Sequence, residues 1–190
     1  MNMNIFMVGV GGQGVLTIAE LLVAASIARG LDCIFYPTKG MAQRGGFVKA
    51  QLRIGEKPGG PDISLGGADI VIAMEQNEAL KAVPYLKQGG DMIVYGYRWL
   101  PTDAMLGRAP YPDATQVEAA AQTRQACYTY VPTEKLMGGG GENIFLLSAS
   151  QKHTALKELF SAEELFAAVT QRFPKFVESN KNAFRCGQQV

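Results

Sequence analysis

Short apolar runs and longer amphipathic segments follow one another along the chain, a pattern typical of alternating strands and helices. Residues 68–74 are almost entirely apolar, as expected of a strand that is buried on both faces of a sheet. Residues 47–54 alternate instead, which puts Lys49, Gln51 and Arg53 on the side opposite the apolar residues. The predicted strands cover residues 5–10, 33–36, 47–54, 68–74, 91–95 and 127–131.

Helices are predicted where apolar residues recur at helical spacing or where capping residues appear. Gly30 follows the first amphipathic segment at the position of a C′ glycine. Ser161 and Glu164 have the spacing of a capping box. Residues 96–113 contain three prolines and mixed polarity, which predicts an irregular arm. The predicted helices cover residues 15–29, 75–84, 115–125, a segment from 142 onward, 161–173 and 174–184.

Elements in this order predict an α/β fold with a Rossmann-like, mostly parallel sheet, helices on both faces and a helical C-terminal segment. We expect a single domain over residues 1–190. The opening strand, glycine turn, helix and second strand predict a βαβ unit. In such a unit the carboxyl ends of the first two strands lie side by side. The second strand is expected to end at Pro37.

Charge and composition exclude several classes of function. The chain has 18 Lys and Arg against 17 Asp and Glu, and a net charge of +1 provides no basic field for nucleic acid. No apolar stretch reaches the ~18 residues of a membrane span, and the first residues lack a signal peptide's basic region. We therefore expect a cytoplasmic protein without membrane contact. The three cysteines are isolated, which predicts buried thiols, and with His153 as a lone surface histidine no metal site is expected.

Glycine is the compositional outlier, with 22 residues. All but Gly187 lie at or before Gly141, so the first three quarters of the chain require close backbone approach or positive φ angles. The four-glycine run at residues 138–141 precedes a predicted helix. We expect that run at the same sheet edge as the earlier glycines.

The first glycine turn has the form of a nucleotide-binding motif. Gly9, Gly11 and Gly14 satisfy G-x-G-x-x-G between a strand and a helix, where small residues allow a phosphate to approach the helix N-terminus. A tight strand–helix crossing without a ligand explains the same pattern. NAD binding further requires an acidic residue at the end of the second strand. Asp32 lies at the start of that strand, which disfavours NAD.

A basic glycine-rich loop follows the second predicted strand. Lys39 and Arg44 lie in a stretch without acidic residues, beside glycines 40, 45 and 46. Two glycine-rich loops at one sheet edge, one of them with two cations, would form a phosphate site. Lys49 and Arg53 are interpreted instead as a solvated strand face.

Two acidic residues follow the buried strand at 68–74. Glu75 and Glu78 occupy the place where α/β sheets position ligand-facing residues. The preferred interpretation is favourable charge in the first turn of a helix. Either carboxylate is also a candidate partner for Arg44.

Several motifs occur together and in order. The chain resembles the gamma subunit family of 2-oxoacid:ferredoxin oxidoreductases in the runs GVGGQGVLT at 9–17, KGMAQRGG at 39–46 and VKAQLRIG at 48–55. ADIVIAMEQNEAL at 68–80 and NKNAF at 180–184 fit as well, so the resemblance covers nearly the whole chain. The chain resembles the pyruvate/ketoisovalerate oxidoreductase gamma domain, and it resembles most of all the short subunit of the indolepyruvate enzymes.

The resemblance implies a multi-subunit enzyme that oxidatively decarboxylates a 2-oxo acid on thiamine diphosphate and passes electrons through iron–sulfur clusters to ferredoxin. Thiamine diphosphate and the clusters are expected on partner subunits, because this chain has neither motif. The isolated chain is expected to be inactive. Whether it forms a homodimer is left undecided by the sequence. In the pyruvate enzymes, gamma-type glycine loops help to hold coenzyme A.

If this chain has the same role, it provides a surface that binds coenzyme A or phosphate. No catalytic residue is assigned to this chain. Two other interpretations stay open, namely a purely structural assembly subunit and a stand-alone NAD-binding dehydrogenase. The predicted binding residues are Gly9, Gly11, Gly12, Gln13, Gly14, Thr17, Lys39, Gln43, Arg44, Gly45 and Gly46.

Overall fold

The structure, a computed structural model, describes residues 2–39, 46–56, 60–138 and 140–190, and these contain a six-stranded sheet. The strand order is β2-β3-β1-β4-β5-β6, and β1, β4, β5 and β6 pair in parallel. The predicted mostly parallel α/β sheet is therefore confirmed. The strands are β1 (Met3–Val10), β2 (Cys33–Lys39), β3 (Phe47–Ile54), β4 (Ala68–Ala73), β5 (Leu86–Tyr95) and β6 (Cys127–Val131).

Helices cover both faces of the sheet, as predicted. One buried apolar cluster joins one sheet face to α1, α5, α7 and α8, and a second joins the other face to α2 and α4. The helices are α1 (Val15–Ala28), α2 (Gln76–Ala82), α3 (Thr102–Met105), α4 (Ala114–Gln122), α5 (Glu142–His153), α6 (Leu156–Leu159), α7 (Ala162–Arg172) and α8 (Val177–Gln188). None of the described helices is long and apolar enough to cross a membrane.

The predicted βαβ unit is wrong in one respect, because β1 and β2 are not neighbours. Strand β3 lies between them and pairs antiparallel with both. A short connection lets β3 fold back on β2, since antiparallel strands need no long crossover. Gly9 of β1, Val48 of β3 and Lys39 of β2 are aligned in the register, so the carboxyl ends of β1 and β2 still reach the same sheet edge.

Strand β2 runs past its predicted end. Pro37 was expected to stop it, yet the strand continues to Lys39. Because β2 is an edge strand with β3 on one side, the missing N–H of proline can face away from the ladder.

The side of β3 expected to be solvated is partly covered. Gln51 is buried, donates to Asp62 Oδ1 at 3.0 Å and accepts the N–H of Ile63 at 2.6 Å. Arg53 is half-buried and donates to Asn4 Oδ1 at 3.0 Å. Lys49 is also half-buried. A segment between β3 and β4 covers this face, which strand alternation cannot reveal.

The cysteines, all of them free, differ from the expected buried thiols. Cys186 is buried and Cys33 is half-buried, but Cys127 is exposed at the start of the edge strand β6. Neither of the two buried apolar clusters includes Cys127, so its thiol stays exposed. His153 is half-buried, with its Nε2 3.0 Å from the carbonyl oxygen of Val190.

Candidate ligand-binding site

The turn between β1 and α1 requires glycine at several positions for reasons internal to the chain. Gly12 and Gly14 have φ angles of +100° and +84°, which strongly favour glycine. At Gly9 an added Cβ would lie 2.7 Å from Val15 Cγ2 and 2.9 Å from Met74 Cβ. The close backbone approach inferred from the glycine pattern is therefore present, and at Gly9 the neighbour is the protein itself.

The side chain of Gln13 fastens this turn to the next strand of the sheet. Its Oε1 accepts the N–H of Val10 at 2.8 Å, and its Nε2 donates to the carbonyl oxygen of Met74 at 2.9 Å. Both polar atoms are thus bonded to the backbone. Gln13 holds the carboxyl ends of β1 and β4 together at this edge.

The two glycine loops meet, as expected, although β3 rather than direct β1–β2 pairing brings them together. The N–H of Gly11 donates to the carbonyl oxygen of Gly46 at 2.8 Å. Gln43, Arg44 and Gly45 lie outside the described residues, as does the side chain of Lys39. Thr17 is half-buried in α1 and is not among the residues that line the cavity beside the turn.

That cavity has a volume of about 280 Å³ and opens at the carboxyl edge of the sheet. One wall is the glycine turn and the other is largely aromatic, with the Tyr95 and Tyr97 rings stacked at 6.5 Å and 8°. Trp99 is 44% exposed. Sequence reasoning missed this wall, because it comes from the end of β5 and an arm read as irregular. The lining residues are Val10, Gly11, Gly12, Gln13, Met74, Tyr95, Tyr97, Trp99 and Glu142.

Two helices begin at this edge with glycine N-caps and no capping side chain. Gly14 precedes α1, and Gly141, with a φ angle of +80°, precedes α5. They lie close together, since a Cβ on Gly14 would be 2.6 Å from Asn143 Nδ2. The expectation that the third glycine cluster reaches this edge is thereby confirmed at Gly141. First-turn N–H groups have no intrahelical acceptor, so such an N-terminus favours anions.

Charge within the cavity is not uniformly favourable to anions. Glu142, in the first turn of α5, contributes a carboxylate to the lining. Burial, together with the carboxylates of Glu142 and Glu134, raises the pKa of Tyr95 to about 12. The Tyr95 hydroxyl therefore stays protonated and available as a hydrogen-bond donor at neutral pH.

Glu75 is the N-cap of α2 and is only 1% exposed. Its Oε2 accepts the N–H of Glu78 at 2.9 Å, and its Oε1 accepts the N–H of Trp99 at 3.0 Å and the hydroxyl of Tyr111. Burial raises the pKa of Glu75, although these N–H donors oppose the shift. The helix expected near Glu75 is present, with Glu75 as its N-cap and Glu78 in its first turn, but the bonds of Glu75 to Trp99 and Tyr111 were not foreseen.

Glu78 is also buried, and its Oε1 accepts from Lys81 Nζ at 2.8 Å. The alternative, that Glu75 or Glu78 pairs with Arg44, stays a prediction because Arg44 lies outside the described residues. Asp32 lies directly before β2, opposite the end at which a dinucleotide-binding acid is required. Within the described ranges, no three His, Cys, Asp or Glu side chains are grouped so that they could hold a metal ion.

Sequence comparisons relate this chain to known proteins. Residues 4–190 match the family described as pyruvate ferredoxin/flavodoxin oxidoreductase. Subunit IorB of indolepyruvate oxidoreductase from Methanothermobacter thermautotrophicus is 29% identical over 98% of this chain and 96% of its own. The IorB of Pyrococcus horikoshii is 31% identical over 97% of this chain and 93% of its own. With the IorB of Archaeoglobus fulgidus, 39% identity extends over 62% of this chain and 58% of that relative.

Solved structures share the fold. A pyruvate oxidoreductase subunit of Thermotoga maritima has a TM-score of 0.72 at 19% identity and covers 99% of this chain and 96% of its own. The gamma subunit of a keto/oxoacid ferredoxin oxidoreductase from Geobacter sulfurreducens has a TM-score of 0.64 at 23% identity, with 98% and 96% covered. A 2-oxoglutarate:ferredoxin oxidoreductase from Magnetococcus marinus, with 2-oxoglutarate, coenzyme A and succinyl-CoA bound, has a TM-score of 0.66 at 19% identity and matches 99% of this chain and 30% of its own.

Proposed function

This chain belongs to the pyruvate ferredoxin/flavodoxin oxidoreductase family, and from that premise we propose that it is the small, gamma-type subunit of a 2-oxoacid:ferredoxin oxidoreductase complex. Relatives named as IorB subunits of indolepyruvate oxidoreductase align over nearly their full length. In the proposed complex, partner subunits hold thiamine diphosphate, which supplies the decarboxylation chemistry, and iron–sulfur clusters, which carry electrons to ferredoxin.

The share of this chain in that reaction is a binding surface at the carboxyl edge of the sheet. The observation that carries the proposal is the convergence of the glycine turn, the uncapped N-termini of α1 and α5, and a cavity of about 280 Å³. Backbone N–H donors at a helix N-terminus suit phosphate oxygens. Gly12 leaves room for a ligand, because an added Cβ there would meet no atom within 4 Å.

Coenzyme A is the phosphate-bearing ligand that this surface is proposed to hold. Its diphosphate would lie against Gly11 and Gly12, and Lys39, Gln43 and Arg44 would supply the polar side chains. The cavity suits one part of a coenzyme A molecule, so the rest would extend along the surface. Support comes from the fold shared with a chain of the Magnetococcus enzyme, whose structure has coenzyme A bound.

Isothermal titration of coenzyme A into the assembled complex, purified from its native host, tests this role. Arg44→Ala should weaken binding at least tenfold, because a lost charge-assisted hydrogen bond costs about 1.5–3 kcal/mol. Arg53→Ala is the matched control, since Arg53 aligns with Asn4 at the opposite end of β3. Equal affinity of the wild-type and Arg44→Ala complexes for coenzyme A would contradict the proposal that this surface binds coenzyme A.

A purely structural assembly subunit is the second candidate, and one observation favours it. Gly9, Gln13 and Gly14 are all explained by contacts within the chain, to Val15, Met74 and Asn143. No ligand is needed to account for them. Partner chains that co-purify with this chain in a complex that does not bind coenzyme A would support this alternative.

A further inference from the structure

The arm between β5 and α4, residues 96–113, has no buried residue of its own. Its only helix, α3, has four residues, and Met105 and Leu106 are 69% and 57% exposed. Tyr97, near the start of the arm, packs against the main apolar cluster and stacks on Tyr95. Beyond Tyr97, apolar burial contributes little to the position of the arm, and polar contacts with the rest of the protein hold it.

Those contacts converge on the start of α2. Oε1 of Glu75 accepts two donors from opposite ends of the arm, the N–H of Trp99 at 3.0 Å and the hydroxyl of Tyr111. Next to it, the N–H of Gln76 donates to the carbonyl oxygen of Tyr97 at 3.2 Å. Within the arm, the Arg98 guanidinium lies 4.9 Å from the Tyr111 ring centre, which links the two ends again.

The two residues held in this way are the ones that the arm contributes to the cavity, Tyr97 and Trp99. Glu75 is not among the residues that line the cavity. It is 1% exposed, so water competes little for its carboxylate, and an ionised acceptor forms stronger hydrogen bonds than a neutral one. A shift of the arm would move the aromatic wall away from the glycine turn.

We propose that Glu75 is a positioning residue, which sets the aromatic wall of the ligand cavity by holding the arm at Trp99 and Tyr111. Only the identity of the ligand rests on the proposed function. The two carboxylate oxygens of Glu75 have different partners. Oε2 caps α2 by accepting the N–H of Glu78, and Oε1 holds the arm by accepting the N–H of Trp99.

The division between the two oxygens allows the roles to be separated by substitution. Glu75→Asp keeps the charge and a good N-cap residue but withdraws the carboxylate by one methylene, out of reach of the arm. Tyr111→Phe removes one donor of the arm and leaves Glu75 intact. Glu78→Gln is the matched control, because Glu78 is also buried in α2 but bonds to Lys81.

Trp99 is the chain's one tryptophan, so fluorescence of the full chain, excited at a wavelength that the seven tyrosines do not absorb, reports directly on the wall. Glu75→Asp and Tyr111→Phe should shift its emission to longer wavelength and raise its quenching by acrylamide, while Glu78→Gln leaves both at wild-type values. Far-UV circular dichroism verifies that each variant is folded. Wild-type emission and quenching in both arm variants would overturn the proposal, and Tyr111→Phe suffices if Glu75→Asp fails to fold.

Titration of coenzyme A into complexes that contain the same variants completes the test. Weaker binding in Glu75→Asp and Tyr111→Phe, but not in Glu78→Gln, is the expected result. If the wild-type complex binds no coenzyme A while the Trp99 emission shifts as expected, the proposed function fails and the positioning role stands. Unchanged emission with coenzyme A bound normally overturns the positioning role alone.

Discussion

The backbone N–H of Gly11 donates a hydrogen bond of 2.8 Å to the carbonyl oxygen of Gly46, which joins the turn after β1 to the segment before β3. The two glycine-rich loops thus meet at their backbones. Lys39 of β2 and Gly9 of β1 pair with the same residue of β3, Val48, so both strands end at this edge of the sheet.

Gly9→Ala should lower the free energy of unfolding by about 1–3 kcal/mol, the usual cost of overpacking. The new methyl group would lie 2.7 Å from Val15 Cγ2 and 2.9 Å from Met74 Cβ. Urea denaturation followed by circular dichroism measures the change. Gly60→Ala is the control, because a Cβ at that position meets no atom within 4 Å. Equal stability of the two variants would contradict the close packing at Gly9.

Gly14→Ala should destabilise the protein for two separable reasons. The φ angle of +84° is unfavourable for alanine, and the methyl group would lie 2.6 Å from Asn143 Nδ2. A double-mutant cycle with Asn143→Ala separates them, since the second substitution removes the contacts with Asn143 Nδ2 and Cγ, keeps the Cβ contact at 3.0 Å and leaves the backbone strain. We expect a coupling energy of about 0.5–3 kcal/mol. Strict additivity would mean that α1 and α5 do not touch at this position.

Gly187→Ala should destabilise the contact between α5 and α8 by about 1–3 kcal/mol. An added Cβ would lie 2.3 Å from the carbonyl oxygen of Phe145 and 2.7 Å from Ser148 Cβ, so the helices would have to separate. This clash outweighs the gain of about 1 kcal/mol in helix propensity. Thermal unfolding measures it, with the exposed Lys181→Ala of the same helix as control. A variant more stable than wild type would contradict the predicted clash.

The pH dependence of stability should report on Glu75. Burial raises the pKa of this carboxyl above its ordinary 4.5, with a smaller contribution from the nearby Glu78 carboxylate. Between the unfolded and the folded pKa the folded state binds more protons, so the free energy of unfolding falls as pH rises. The stabilising contribution is complete below the unfolded pKa and is lost above the folded one.

Glu75→Gln removes this titration. The free energy of unfolding of wild type should therefore decline relative to that of Glu75→Gln as pH rises through the range between the ordinary pKa of 4.5 and the raised pKa of the folded state. Urea denaturation at a series of pH values provides both curves. A constant difference between wild type and variant across that range would show that the pKa of Glu75 is not raised.

Local patterns predicted most of the elements. Residues 127–131 were expected as a strand and form β6, and the capping box at Ser161 and Glu164 is present at the start of α7. The apolar run at 68–74 forms β4. Period and capping depend on residues a few positions apart, which explains why one sequence is sufficient to detect them.

The candidate site was predicted only in its glycine part. The turn at Gly11 and Gly12 was recognised from spacing, whereas the roles of Trp99 and Glu75 depend on a hydrogen bond between residues 24 positions apart. Gln13 was correctly located in the turn, but its side chain forms hydrogen bonds with the backbone of Val10 and Met74 that the sequence did not predict. Such partners are chosen by packing, and no local pattern records them.

The sequence by itself determined the type and order of the elements, the glycine turn after β1 and the family resemblance, because these depend on local periodicity and on short motifs. Tertiary structure alone decided that β3 separates β1 from β2 and that a buried Glu75 carboxylate holds Trp99 at the cavity. Strand neighbours and buried hydrogen-bond partners are selected by the burial of the whole chain, in which residues far apart in sequence compete for the same few positions.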